Sequence, residues 1–204
     1  MMKKLLAAAA GIAMAMSVAS TAQAETTIRV TLQLPQSHSL GQNWLAFQKI
    51  IEEKSNGELK LQLFHSAQLF KDNEVPEAVG SGAIEAGSVF LGRFAGSVPA
   101  VDVISLPFFF RDEAHLRQSV ATGSKMRDVL DAAVLKETNA KILWWQAFGR
   151  NVYLSNDVAI RTPADMQNKK VRTYGKVLGW TVEALGGAPT LMSGSKQFLA
   201  YQQG

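Results

Sequence analysis

From Thr27 the chain reads IRVTLQL, with apolar and polar residues alternating so that Ile28, Val30, Leu32 and Leu34 share one side. A period of two predicts a strand. After the turn LPQSHSLG, Trp44, Phe47 and Ile51 recur at helical spacing, and Ser55-Asn56-Gly57 closes that helix. Glu58 to Phe64 alternates again, with Leu59, Leu61 and Leu63 inward. A short helix is expected around Glu74 to Val79, ended by Gly80 and Gly82, followed by a third strand over Ala83 to Phe90.

Val101 to Phe110 is a second apolar block, turned at Pro107. Asp112 opens a helical region that Gly123 divides, and the second half sets Met126, Val129, Leu130, Ala133 and Val134 on one face. Lys141 to Phe148 predicts an apolar strand bent at Gly149, and Asn151 to Ser155 a further strand. Thr162-Pro163-Ala164-Asp165 combines a hydroxyl cap, a proline at the first helical position and an early acid, so a helix should start there. A short strand at Lys170 to Thr173 follows. Then comes a helix marked by Val177, Trp180, Ala184 and Leu185, closed by Gly186-Gly187, and a last helix from about Ser195 to Gln203.

Strands alternating with helices indicate an α/β fold with parallel or mixed sheets. The stretch from residue 148 onward lacks return elements to cover its apolar faces, and fewer than about 60 residues of that kind are marginal alone.

Ahead of the first strand stand Lys3 and Lys4, the run LLAAAAGIAMAMSVA, and STAQA before Glu25. A charged start, a short greasy centre and small residues at Ala22 and Ala24 read as a secretory signal peptide. The run is short for a membrane span, which needs about 20 residues; an uncleaved anchor is the rival reading. The expected organisation is a signal peptide over 1–24, a first α/β lobe over 25–147 and a partial second lobe over 148–204. Loss of Lys3 and Lys4 with the signal lowers the formal charge from +4 to +2. No basic run exceeds Lys169-Lys170, so the electrostatic footprint of a nucleic-acid partner is missing. The chain has no cysteine, which excludes disulfides, thiol chemistry and a lipid-bearing cysteine.

Catalytic and cofactor signatures are equally thin. His38, His65 and His115 have no metal-ligand spacing, so no metal site is expected. Ser193-Gly194-Ser195-Lys196 fits S-x-x-K without the companion motifs of that enzyme class, and Thr122-Gly123-Ser124-Lys125 lacks the upstream glycine of a phosphate loop. No cofactor and no catalytic residue are nominated. Two arginines stand out instead. Arg150 follows Phe148-Gly149 at the end of an apolar run, and Arg172 sits in the strand-like NKKVRTYG. Arginine keeps its charge and presents a flat fork that matches a carboxylate. Composition alone equally allows both to be solvated, or paired with Asp157 or Asp165.

A series of landmarks carries a resemblance over nearly all of residues 27–204. They are KSNGELKLQLFHSAQL, EVPEAVGSGAIEAG, VPAVDVISLPFFFRDEAH, GRNVYLSND, RTPADMQNKKVRTYG, ALGGAPTLM and LAYQQG, in that order. The chain resembles a solute-binding protein of tripartite ATP-independent periplasmic (TRAP) transporters, the DctP family. The resemblance implies a two-lobe, flytrap-like binding protein whose second lobe is incomplete at Gly204. It captures a small organic carboxylate in the periplasm and delivers it to the membrane subunits of a TRAP transporter. It further implies that Arg172 anchors the carboxylate, that Arg150 assists, and that Gln33 and Phe90 form the first-lobe wall. Some members carry an acid where Phe90 stands, and Gly194-Ser195-Lys196-Gln197-Phe198 departs from the family's aromatic-S-E-V-Y. Two other readings stay open at this point: an exported enzyme whose catalytic residues lie beyond Gly204, and a truncated fragment that binds nothing.

Overall fold

The computed structural model describes residues 25–156 and 158–203; the expected signal segment lies outside them. Strand β1 (Thr26–Thr31) runs parallel to β2 (Leu59–Phe64), with Ile28 opposite Leu61 and Val30 opposite Leu63. Helix α1 (Ser39–Lys54) makes the crossover between them. It starts where His38 Nδ1 accepts from Leu40 N at 3.2 Å, and stops where Asn56 and Gly57 take positive φ. Its apolar stripe packs Trp44, Phe47 and Ile51 on Val30, Leu32 and Leu61. The predicted strand–helix–strand unit is present.

Helix α2 (Val75–Gly80) leads to β3 (Ala86–Gly87), which pairs parallel with β1 on the side away from β2. Central β1 is therefore covered on both faces: Val30 and Thr31 have no exposed surface. The expected third strand, Ala83 to Phe90, shrinks to two paired residues. Gly87 shows why the contact is so close, since a Cβ there would lie 2.7 Å from Val75 Cγ1. Beyond Ser88, whose N–H still reaches Thr31 O at 2.9 Å, the backbone turns into a 3-10 helix over Leu91–Phe94, capped by Phe90.

Helices α3 (Glu113–Ser119) and α4 (Lys125–Thr138) divide at Gly123 as the sequence requires, capped by Asp112 and Ser124. Leu130 and Val134 join Phe94, Val98, Val101 and Ala140 in a second core. Val129, expected inward, is 57% exposed.

Two expected strands are not formed. Lys141 to Phe148 and Asn151 to Ser155 enter no ladder. An apolar run becomes a strand only beside an unpaired backbone edge, and among the described strands none meets this segment. Side chains hold it instead. Trp145 Nε1 donates to Asp131 Oδ1 at 2.7 Å, and Trp144 sits 4.8 Å from Trp44 and 5.0 Å from Phe47 between ring centroids.

After a 3-10 turn at Pro163–Met166, β4 (Lys170–Thr173), α5 (Lys176–Ala184) and β5 (Ala188–Leu191) form a second parallel unit, with Arg172 opposite Thr190. Met166, Val177 and Val182 are its buried core, whereas Trp180, expected on the inner face, is 53% exposed. Helix α6 (Gln197–Gln203) follows.

The β1–β3 pairing is reinforced at its outer end by Arg29 and Glu85. Arg29 Nε and Nη2 donate to the two carboxylate oxygens at 2.8 and 2.7 Å, and the Arg29 N–H adds a third bond at 2.9 Å. The Arg29 side chain, then its backbone, hold the Glu85 carboxyl down from 4.5 to about 2. A depressed folded pKa stabilises fully above the unfolded value and loses that contribution as pH falls from about 4.5 towards 2. Because both side chains are exposed, the effect is modest and salt-sensitive. Glu85→Gln should therefore flatten the fall of Tm across that window and leave the slope above pH 5 unchanged. Parallel loss of Tm in parent and variant would mean the pair has no part in acid stability.

Candidate functional site

The order β2-β1-β3 contains a reversal. From β1 the chain crosses to β2, then returns past β1 to β3, so the loops leaving the carboxyl ends of β1 and β3 part in opposite directions. A crevice opens at such a switch point, and ligands of open α/β sheets bind there. Gln33 and Phe90 stand just beyond those two carboxyl ends. The second sheet presents its own carboxyl ends through Arg172 near the end of β4, Tyr174 and Gly175 just after it, and Met192 to Gly194 after β5.

Aromatic contact brings the two sheets' ends together. The Phe90 ring meets Tyr174 edge-on, with centroids 4.9 Å apart and planes at 83°. Gly175 packs closely beside them: a Cβ there would come within 3.1 Å of Phe90 Cε1, so the ring would have to shift by a few tenths of an ångström. The Tyr174 hydroxyl donates to Asn151 Oδ1. Burial raises the pKa of that phenol, opposed by the positive charge of Arg172 and by the Asn151 bond.

Arg172 lies against this cluster, its guanidinium carbon 4.8 Å from the Tyr174 centroid. Its Nε donates to Met192 O at 3.1 Å, which fixes the plane of the fork. Gly194 packs beside the terminal nitrogen Nη2, which a Cβ there would meet at 3.6 Å. Among the described residues no carboxylate forms an ion pair with it. Burial lowers its pKa, the Asp72 charge and then Tyr174 oppose that, and Arg93 reinforces it. The guanidinium stays charged at any relevant pH, and its partial removal from water works against that charge.

The other expected site residues differ in how they are held. Gln33 Nε2 donates to Phe70 O at 3.2 Å, while its Oε1 is buried without a partner. Arg150 is exposed and forms no ion pair among the described residues. It adjoins Asn151, the acceptor of the Tyr174 hydroxyl, and the structure does not bring its side chain onto Arg172. Asp165, one of the acids weighed as a partner for the arginines, is engaged by Arg161 N, Thr162 N and Thr162 Oγ1; Asp157 lies outside the described residues.

Sequence reasoning missed Asp72, Arg93 and Tyr174. Arg93 Nε and Nη2 both donate to Asp72 Oδ2, at 3.2 and 2.9 Å, and these side chains are only 7% and 8% exposed. The signal for Arg93 was available: SVFLGRFAGSV sets one cation in an apolar, glycine-bearing stretch, the same pattern that singled out Arg150. Asp72 had no such mark among the charges of KDNE.

Two other features are unsuited to an anion or a metal. An aromatic groove of about 470 Å³, lined by Trp44, Phe47, Trp144 and Trp145 with Asn43 and Gln146, has no cation. Among the described residues no group of His, Asp and Glu is placed to hold a metal ion, and no helix is long and apolar enough to cross a membrane.

The fold recurs in known proteins. A solute-binding protein of Verminephrobacter eiseniae is 31% identical over 186 residues, covering 91% of this chain and 55% of its own length. The TRAP periplasmic solute-binding protein of Sulfitobacter sp. NAS-14.1, solved with bound β-D-galacturonate, superposes with a TM-score of 0.79 at 26% identity, covering 86% of this chain and 58% of that one. A TRAP periplasmic solute-binding protein of Sulfurospirillum deleyianum, solved with bound succinate, gives a TM-score of 0.74 at 27% identity, covering 89% and 58%. The chain thus spans somewhat over half the length of the proteins it matches, and its two parallel units are a partial two-lobe α/β binding fold. The family profile of bacterial extracellular solute-binding protein, family 7 (DctP), matches residues 31–204, and the chain belongs to that family.

Proposed function

We propose that this chain captures a small organic carboxylate in the periplasm, with Arg172 as its anchor, and passes it to the membrane subunits of a TRAP-type transporter. The observation that carries the reading is the partly buried Arg172 fork, oriented by Met192 O and left without a carboxylate among the described residues. The fork geometry suits a planar two-oxygen anion. Phe90 and Gln33 supply the wall from the first sheet, and exposed Arg150 draws the anion in. The bound acid balances a cation that is costly to bury alone, and so favours the closed arrangement of the two units. Residues 1–24 act as the export signal. The chain performs no chemistry of its own; the galacturonate and succinate held by its solved relatives set the range of acids to try.

Arg172→Lys keeps the charge and removes the fork. One lost charge-assisted hydrogen bond is worth about 1.5–3 kcal/mol, so Kd should rise at least about tenfold by calorimetry. Unchanged affinity in that variant would remove Arg172 as anchor. Esterifying or amidating the ligand carboxylate should weaken binding to the parent by at least a similar factor. A neutral ester that binds as well as its acid would contradict carboxylate recognition.

A further inference from the structure

Tyr174 follows Arg172 by two residues in the extended run KVRTYG, a spacing that puts both side chains on one side of the chain. It is the one residue between the end of β4 at Thr173 and Gly175, which caps α5. Three neighbours from separate parts of the molecule hold its ring. Phe90, from the first unit, meets it edge-on with centroids 4.9 Å apart. Asn151 Oδ1, from the segment that connects the units, accepts its hydroxyl. Arg172, from the second unit, lies over its face with the guanidinium carbon 4.8 Å from the centroid.

The Arg172 fork therefore has two supports. Met192 O takes the Nε hydrogen and holds one edge of the guanidinium, while the phenol ring backs its face. A bond at one edge lets the group rock about the line of that bond, and a ring against the face restricts the rocking. Two-oxygen capture needs both donors in the plane of the carboxylate, so a fork that rocks binds less well than one already set. The ring can serve as a backing only if it is itself held. Phe90 holds one side of it by apolar contact, which permits sliding. The directional contact is the hydroxyl bond to Asn151, an exposed residue of a segment that enters no ladder.

We infer that Tyr174 is the positioning residue of the anchor: its ring backs the Arg172 fork, and its hydroxyl bond to Asn151 pins the ring. Affinity for the acid then depends on a phenol oxygen that acts through Arg172. This rests on the carboxylate-binding reading with Arg172 as anchor. It gives the connecting segment a part in binding that exposed Arg150, its neighbour, does not supply.

The test is calorimetry with succinate and galacturonate on single and double variants. Tyr174→Phe keeps the ring and removes the hydroxyl; Asn151→Ala removes the acceptor. Each should raise Kd by about three- to tenfold, the size of one hydrogen bond between neutral groups. The Tyr174→Phe and Asn151→Ala double variant should be no weaker than the weaker single, because both remove the same bond. Added to Arg172→Lys, Tyr174→Phe should change Kd less than about twofold, since the fork it positions is gone. A residue that merely supports the fold would cost affinity equally in both backgrounds, and that result overturns the inference. If Arg172→Lys leaves no measurable binding, the Tyr174–Asn151 cycle decides, and additive losses there overturn the inference. Asn151→Ala, at an exposed position, carries the test if Tyr174→Phe does not fold. Unchanged affinity in these variants, with Arg172→Lys still weakened, overturns the inference and leaves the anchor intact. Binding of neither acid by the parent overturns both.

Discussion

A guanidinium drawn partly out of water without a counter-charge is the constraint around which this molecule is arranged. Isolated charge is expensive to bury, and proteins ordinarily neutralise it within their own chain. Arg93 and Arg127 follow that rule, each paired with an acid. Arg172 does not. It is braced by a carbonyl and a tyrosine face, which orient it without cancelling its charge. Asp72 acts on it electrostatically yet gives its hydrogen-bonding oxygen to Arg93. In the proposed reading, the bound acid resolves that imbalance.

Topology supplies the place. Parallel strands deliver their carboxyl ends to one edge of each sheet, and the return from β2 past β1 to β3 opens the crevice there. Small residues then permit close approach. Gly87 lets α2 settle against β3, and Gly175 lets Phe90 reach Tyr174 across the two units. Function therefore depends on local packing as much as on the charged group. A bulkier residue at either glycine would alter the distance between walls before altering any polar contact.

Much of this was legible in the sequence where a short-range rule decides the outcome. The β1–α1–β2 unit followed from periodicity and from the stop at Asn56-Gly57, and the α3–α4 break from Gly123. The failures share one cause: the deciding partner lies far along the chain. Lys141 to Phe148 has the apolar run of a buried strand, but a strand exists only beside another backbone edge. The third strand was shortened by the approach of α2, which no local pattern announces. The family resemblance singled out Arg172, Arg150, Gln33 and Phe90. The structure places Phe90 against Tyr174 and Gln33 on Phe70, while Arg150 remains an exposed cation. Asp72 and Arg93 become meaningful only as a buried pair, and pairing across 21 residues cannot be read from spacing.

The most direct measurement is a crystal structure of the protein with a bound carboxylate. Both terminal nitrogens of Arg172 should lie about 2.7–2.9 Å from the two carboxylate oxygens, the range of charge-assisted pairs. A carboxylate ordered elsewhere, with the Arg172 fork turned to solvent or paired with an acid of the chain, would contradict the central claim.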